Sequence, residues 1–90
     1  MLTVSPEAAA LVQHLVETAD LPDGSGVRIV IDGQHHSLSM GLAPGPEPQD
    51  EVISSGGARV FLSQRATGRL GSRTLEAEVT AVRSVFYLSG

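Results

Sequence analysis

The sequence predicts an α+β domain with mixed, mainly antiparallel β-sheets, one N-terminal amphipathic helix and a second short helix. Two patterns support this class. Near the N-terminus, apolar residues recur with the helical period of about 3.6, whereas later segments alternate with the period of two that is typical of half-buried strands. The chain has 90 residues, enough for one small domain with a modest core, so residues 1–90 are expected to form a single domain.

The N-terminal helix is predicted over residues 5–19. Ser5 is a favourable N-cap, Pro6 suits the first helical position, and Glu7 lies where an acidic side chain interacts well with the helix dipole. The apolar residues that share one helix face are Ala8, Leu11, Val12, Leu15, Val16 and Ala19. His14 lies away from this face, and we expect it to face water and to have no functional role.

Two strands are predicted after a loop that is rich in Pro, Asp and Gly. Residues 27–32, VRIVID, carry apolar side chains on both faces, which is typical of a strand that is partly buried on both sides. Residues 37–42, SLSMGL, alternate strictly and predict a strand with one buried face. The residues predicted on that buried face are Leu38, Met40 and Leu42.

The next segments predict two strands and a short helix. Residues 43–48, APGPEP, contain three prolines and favour an extended connection, which leads to a short strand near residues 50–53. Residues 58–63 predict a buried strand. Ser63 is a suitable N-cap for the short helix that follows, which is expected to end at Gly71 and Ser72.

The C-terminal segments TLEAEVTAV and SVFYLSG predict an antiparallel hairpin. The inward face of its first strand is expected to consist of Leu75, Ala77, Val79 and Ala81. The acidic residues Asp50, Glu51, Glu76 and Glu78 are interpreted as surface charges. Glu76 and Glu78 share the outward face of the first strand, where they would discourage pairing with another chain.

The charge pattern argues against nucleic acid as a partner. The formal net charge is −4, all six basic residues are arginines, and most of them are dispersed. Binding to phosphates needs a concentrated basic surface, so no nucleic-acid partner is expected. The cluster of Arg65, Arg69 and Arg73 is interpreted as the solvated face of the short helix and of the turn after it, rather than as an anion site.

Composition also bears on location and chemistry. No segment approaches the roughly 18 apolar residues that predict a membrane-spanning helix, so no membrane association is expected. The N-terminal segment has acidic residues and no basic leader, which does not fit a signal peptide, and a cytoplasmic location is expected. The chain contains no cysteine, which excludes disulfides, a thiol nucleophile and thiolate metal sites from its own residues.

The segment IDGQHHSLSMGL is the strongest candidate for a metal site, because His35 and His36 are adjacent in a glycine-flanked turn. Structural zinc sites use four protein ligands and catalytic sites use three plus water, so two imidazoles alone hold a metal weakly. Extending the alternation of the following strand backwards points His36 inward and His35 outward. A hydrogen-bonded turn pair is therefore favoured over a metal site. Hydrolase chemistry through the neighbouring serines is disfavoured, because no G-x-S-x-G motif is present.

Three segments in sequence order carry a family resemblance: LTVSPEAAALVQHLV, then GVRIVIDGQHHSLSMGLA, then DEVISSGGARVFLSQRATGRLGSRTLEAEV. From Leu2 to about Leu88 they resemble the A-type iron-sulfur carrier family, also called HesB-like or IscA-like. Residues 33–37 occupy the family's Gly-Gly-Cys-Ser-Gly-type turn, and residues 39–42 occupy its Ser-Tyr-Gly-Leu-like strand. The matching positions further along are Asp50, Gly57, Val60, Leu70, Gly71 and Leu75. The resemblance implies a HesB-like fold.

The departure from the family concerns its ligands. Family members hold iron or a cluster with one cysteine in the first turn and two in a C-terminal Cys-Gly-Cys segment. This chain has His35 where the first cysteine is expected, and the sequence ends at Gly90, ahead of the place of the C-terminal pair. Histidine replaces cysteine at some iron-sulfur centres, but only alongside remaining cysteines. An iron-sulfur cluster is the cofactor that the family implies, and this chain lacks the ligands for it.

Two functional hypotheses follow. The leading one is a non-enzymatic HesB-like protein with a scaffold or protein-interaction role, acting through a homodimer or a protein partner. The alternative is a histidine-based metal-binding or iron-delivery protein. In that alternative, two copies bring His35 and His36 together to give about four nitrogen ligands at a symmetric interface.

Overall fold

The structure, a computed structural model, describes residues 1–34 and 37–90, and these have the predicted α+β fold. In chain order the elements are β1 (Thr3–Val4), α1 (Pro6–Thr18), β2 (Gly26–Ile31), β3 (Leu38–Ala43), β4 (Glu51–Ser55), β5 (Ala58–Leu62), α2 (Gln64–Leu70), β6 (Thr74–Val79) and β7 (Ser84–Ser89). Neither helix in the described part of the chain is long and apolar enough to cross a membrane.

The described strands form two mixed sheets. One has the order β1-β6-β7 and the other the order β3-β2-β5-β4. The pairs β1–β6 and β2–β5 are parallel, whereas β2–β3, β4–β5 and β6–β7 are antiparallel. The predicted C-terminal hairpin is confirmed, with Glu76 opposite Tyr87. The sequence did not predict β1, because a strand of two residues is too short to show an alternating pattern.

Helix α1 begins and ends close to its predicted limits. The Ser5 side chain accepts a hydrogen bond from the backbone N–H of Ala8 at 3.1 Å, which satisfies one of the free donors of the first turn. Pro6 occupies the first helical position. The helix packs against β6 of one sheet and against β5 and β2 of the other, so it joins the two sheets around one core.

The main core contains side chains from both sheets and both helices. Its buried members are Leu2, Val4, Ala8, Ala9, Val12, Val27, Ile29, Ile53, Ala58, Val60, Leu62, Ala66, Leu70 and Leu75. Phe61 is also fully buried, but it lies on the opposite face of β5, in register with Arg28 of β2. We call this second face, which is turned away from α1, the outer face. The sheet β3-β2-β5-β4 is therefore partly covered on both sides.

The predicted burial of β3 is wrong. Leu38, Met40 and Leu42 do share the face of β2 that carries the core residues, as the alternation predicted. Their side chains are nevertheless 42%, 40% and 43% exposed. The physical reason is that β3 is an edge strand, and the elements that bury β2 cover its neighbour only in part. The alternating pattern shows which face a residue is on, whereas its burial depends on what lies above that face.

The inward face predicted for β6 is correct only at its start. Leu75 is buried in the core and Ala77 packs partly against it. Val79 is 62% exposed, and Ala81, which follows the strand, is exposed as well. These two positions lie beside the hairpin turn, at the end of β6 that is furthest from Leu75.

Candidate functional site

The connection between β2 and β3, residues 32–37, is where the sequence placed the candidate ligands. The backbone N–H of Asp32 donates to the carbonyl oxygen of Ser37 at 2.8 Å, which closes the base of the hairpin. The backbone N–H of Gln34 donates to Oδ1 of Asp32 at 2.9 Å, a side-chain turn that starts the loop. His35 and His36 lie outside the described residues, so their predicted orientations stay predictions.

Arg65, in the first turn of α2, lies against this connection. A Cβ atom added at Gly33 would overlap Nη1 of Arg65 and would lie 3.3 Å from its Cζ. The guanidinium therefore lies directly over the backbone of Gly33, in space that only glycine leaves open. The sequence correctly predicted that Arg65 is exposed, but it missed this contact. No local signal could have revealed it, because the contact depends on how α2 packs against β2.

The three arginines of the predicted solvated cluster lie in different places. Arg65 lies over the β2–β3 connection. Arg73, beyond α2, donates from Nε to the carbonyl oxygen of Ser89 at 3.4 Å. Arg69 lies on the exposed side of the last turn of α2. Two of the three are therefore used in separate contacts with other parts of the chain.

The donor atoms of this chain do not fit an iron-sulfur cluster. Such clusters are held by thiolates, and none of the 90 residues is a cysteine. Within residues 1–34 and 37–90, no group of three or more histidine, aspartate or glutamate side chains is placed to hold a metal ion. The remaining histidine, His14, is exposed on α1 beside a groove that Glu7 and Val79 also line. The described residues therefore support no chemistry based on a bound cluster.

An ion pair braces the outer face of β2. Arg28 donates from Nε and Nη2 to the two carboxylate oxygens of Asp50, at 2.8 Å and 3.0 Å. Oδ2 of Asp50 also accepts a hydrogen bond from the backbone N–H of Glu47 at 2.9 Å, and Nη1 of Arg28 lies 3.3 Å from the Glu47 carboxylate. This network fixes the end of the proline-rich β3–β4 connection to β2.

The ionisation of this pair follows from its geometry. Hydrogen bonds from Arg28 lower the pKa of the Asp50 carboxyl below its ordinary value, despite the opposing effect of burial. The same contacts with Asp50 raise the pKa of the Arg28 guanidinium. The interpretation of Asp50 as a surface charge is therefore wrong, because its side chain is only 2% exposed. Its neighbour Glu51 is half-buried.

Strand β3 carries a row of partly exposed apolar side chains. We call Leu38, Met40 and Leu42 together the β3 surface. Met40 and Leu42 border an open groove of about 280 Å³, whose other walls include Leu15, Val27 and Phe86. Apolar side chains that are 40% to 43% exposed, side by side on one strand, are a feature of binding surfaces. The sequence assigned these residues to the core and so missed the surface.

The fold and the loop together define a small α+β scaffold whose candidate ligands lie in a hairpin connection. No protein-family model matches the sequence, and no curated protein sequence matches it significantly. Solved structures do match. SufA of Escherichia coli, described as involved in the biosynthesis of iron-sulfur clusters, superposes with a TM-score of 0.81 at 23% identity, over 98% of this chain and 83% of SufA.

Two further structures have the same fold. IscA with a 2Fe-2S cluster matches with a TM-score of 0.70 at 16% identity, over 99% of this chain and 81% of IscA. A protein from Aquifex aeolicus, solved by NMR, matches with a TM-score of 0.72 at 14% identity, over 99% of this chain and 90% of that one. The chain therefore has the HesB-like fold of the A-type iron-sulfur carriers, in a divergent form without cysteine.

Proposed function

We propose that this is a non-enzymatic HesB-like protein, related to the iron-sulfur assembly carriers, which acts by binding protein and not by holding a cluster. One observation carries the proposal: a carrier fold is built from a chain that contains no thiolate ligand. Cluster ligation needs cysteines, and histidine supplements them without replacing all of them. We place this activity in the cytoplasm, where the proteins of cluster assembly would be accessible as partners.

The described surface supports a role in binding. The candidate loop is closed at its base by a backbone hydrogen bond, and the β3–β4 connection is braced by the Arg28–Asp50 pair. Between these two fixed points β3 presents three apolar side chains that are only partly covered. A rigid scaffold with an exposed apolar strand is suited to association with another protein.

The experiment is a ligand analysis of protein produced in iron-supplemented cells and purified without oxygen. We expect no visible absorbance from a cluster, no acid-labile sulfide and substoichiometric iron. A stoichiometric content of iron and sulfide would overturn the proposal, because it would show that the protein holds a cluster without cysteines of its own.

A histidine-based metal-binding or iron-delivery protein is the second candidate. It is favoured by the position of His35 and His36 in a connection whose two ends, Asp32 and Ser37, are joined by a backbone hydrogen bond. Two imidazoles per chain would require a second copy to complete a tetrahedral site.

The two candidates are separated by one set of variants. A His35→Ala, His36→Ala double variant is compared with His14→Ala, which removes the chain's remaining histidine at an exposed position on α1. Binding of zinc or iron is measured by calorimetry and metal analysis. Under the leading proposal, neither the wild type nor the variants bind stoichiometric metal. Stoichiometric metal that the double variant loses and His14→Ala keeps would establish the second candidate instead.

A further inference from the structure

Strand β3 has a free backbone edge. It is the end strand of its sheet, and the described residues add no strand beyond it. Two hydrogen bonds show how its backbone is oriented. Asp32 N–H donates to the carbonyl oxygen of Ser37, so Ser37 points its polar groups towards β2. The carbonyl oxygen of Ile29 accepts a hydrogen bond from Ser63 N–H at 3.1 Å on the β5 side. The backbone N–H and C=O of Ile29 therefore point towards β5 and away from β3.

The alternation of an antiparallel ladder extends this orientation along the strand. Ile29 lies opposite Met40, so Met40 belongs to a pair that is not hydrogen-bonded within the sheet. Its N–H and C=O therefore point outwards, as do those of Leu38 and Leu42, two residues away on either side. The three residues that expose their apolar side chains are thus also the three that direct unpaired backbone groups towards solvent.

This edge lacks the usual protection against pairing. Exposed edge strands commonly carry charged side chains or proline, which discourage another strand from adding to the sheet. The sequence of β3, LSMGLA, contains neither. The strand β7 is also an uncharged edge, but it differs because its Phe86 and Leu88 pack against the core.

The charges around β3 are compatible with an identical neighbour. The charged side chains that line the outer-face hollow beside β3 are Arg28 and Glu47, and both belong to the ion network with Asp50. The chain has a net charge of −4, but among the described residues that line the two hollows beside β3 the only charged side chains are the paired Arg28 and Glu47, so neither hollow presents an unpaired charge to an identical copy. A two-fold interface requires this kind of self-complementarity.

We propose that β3 is the contact through which two copies of this chain associate, with the two strands antiparallel and the two-fold axis passing at Met40. In this register Met40 faces Met40 of the second copy, and Leu38 faces its Leu42. All three outward-pointing residues then exchange backbone hydrogen bonds with their opposite partners. The three apolar cross-strand pairs cover the β3 surface, and two four-stranded sheets become one continuous sheet. This inference rests on the protein-binding role proposed above and names the partner.

The geometry limits what the dimer can do. In this register Ser37 of one copy lies opposite Ala43 of the other copy. Ala43 and Ser37 are six positions apart on a strand that rises about 3.4 Å per residue, so the Ser37 residues of the two copies are about 20 Å apart. Pairing through β3 therefore separates the two β2–β3 connections and does not assemble a four-histidine metal site. A single strand pair also belongs to the small class of interfaces, below about 1,200 Å², and we expect dissociation in the micromolar range.

The experiment is sedimentation velocity over low to high micromolar concentrations, first without and then with a chelator. We expect wild-type protein to form a concentration-dependent dimer. Met40→Lys and Met40→Glu should each be monomeric, because the two-fold axis places identical charges opposite each other. An equimolar mixture of the two variants should dimerise again, because only this register brings residue 40 against residue 40. Val82→Lys is the matched control, since Val82 is 91% exposed in the β6–β7 turn, and it should dimerise as the wild type does.

Circular dichroism of each variant establishes that it is folded, which the partial exposure of Met40 should permit. A wild type that stays monomeric and free of metal would overturn the β3 contact and leave the cluster-free proposal standing. Dimers of Met40→Lys alone, or a variant mixture that stays monomeric, would overturn the proposed register. A dimer that resists Met40→Lys but dissociates on adding the chelator would overturn the contact and support the histidine-based alternative.

Discussion

Replacing Asp50 by asparagine tests whether the ion pair on the outer face of β2 stabilises the fold. The carboxylate accepts three hydrogen bonds, at 2.8 Å and 3.0 Å from Arg28 and at 2.9 Å from the Glu47 backbone. Asparagine has nearly the same shape but no charge, and only its carbonyl oxygen can accept. The variant therefore keeps the packing and loses the charge-assisted contacts.

The expected loss follows from these contacts and their exposure. Hydrogen bonds to charged groups contribute about 1.5–3 kcal/mol each to stability. The side-chain carbonyl of the introduced asparagine retains part of the network, and the Arg28 side chain, 23% exposed, can replace some contacts with water. We expect the free energy of unfolding to fall by about 2 kcal/mol in total. For a domain of this size that corresponds to a fall of about 8–16 °C in melting temperature.

The assay is urea denaturation at neutral pH, with thermal melting as a second measure. Glu47→Gln is the matched control, because the Glu47 carboxylate is 64% exposed and lies 3.3 Å from Arg28. An exposed ion pair of this kind contributes less than about 1 kcal/mol. Equal effects of Asp50→Asn and Glu47→Gln would refute the reasoning, since they would mean that the buried carboxylate contributes no more than the exposed one.

Three further results are expected. The pKa of Asp50 is lowered in the folded state, so the stabilisation from its ionised carboxylate is complete above the ordinary aspartate pKa of about 3.9 and is lost as the pH falls through the lower folded value. Asp50→Asn lacks this carboxylate. Between neutral pH and pH values below about 3.9, its free energy of unfolding, measured by urea titration, should therefore fall less than that of the wild type. Gly26→Ala should destabilise by about 1–3 kcal/mol in urea, because its Cβ would overlap the backbone oxygen of Arg59, whereas Gly41→Ala, with no atom within 4 Å, should be nearly neutral. Met40→Pro should unfold at nearly the wild-type urea concentration, whereas Ser39→Pro should unfold at a clearly lower one. The reason is that residue 39 directs its N–H towards β2 and residue 40 directs its N–H towards solvent, and proline has no N–H. Equal losses of stability in the two variants would contradict this backbone orientation.

Local sequence patterns correctly predicted where the two helices begin, because a helix start depends on an interaction between residues that are close in sequence. Ser5 and Ser63 were both predicted to be N-caps. The side-chain oxygen of each accepts a hydrogen bond from the backbone N–H of the residue three positions later. A cap depends on neighbours in sequence, so its signal is contained in a few letters. The family resemblance predicted the whole HesB-like fold, and the similarity to the structures of SufA and IscA confirms that prediction.

The same patterns failed where the answer depends on distant parts of the chain. Asp50 follows a proline-rich segment and resembles a surface charge, yet Arg28, 22 positions earlier, buries its carboxylate. Arg65 lies over Gly33 only because α2 packs beside β2. Neither contact has a period or a motif, so neither could be predicted from neighbouring residues.

For the candidate site, the sequence by itself determined which ligands exist. A chain without cysteine cannot supply thiolates however it folds, and this limits its chemistry in every conformation. Only the tertiary structure decided the role of β3. Its alternation correctly placed Leu38, Met40 and Leu42 on the core face, but their exposure was set by the position of β3 at the edge of its sheet. Which face a side chain takes is a local property of the strand, whereas burial depends on the elements packed above it.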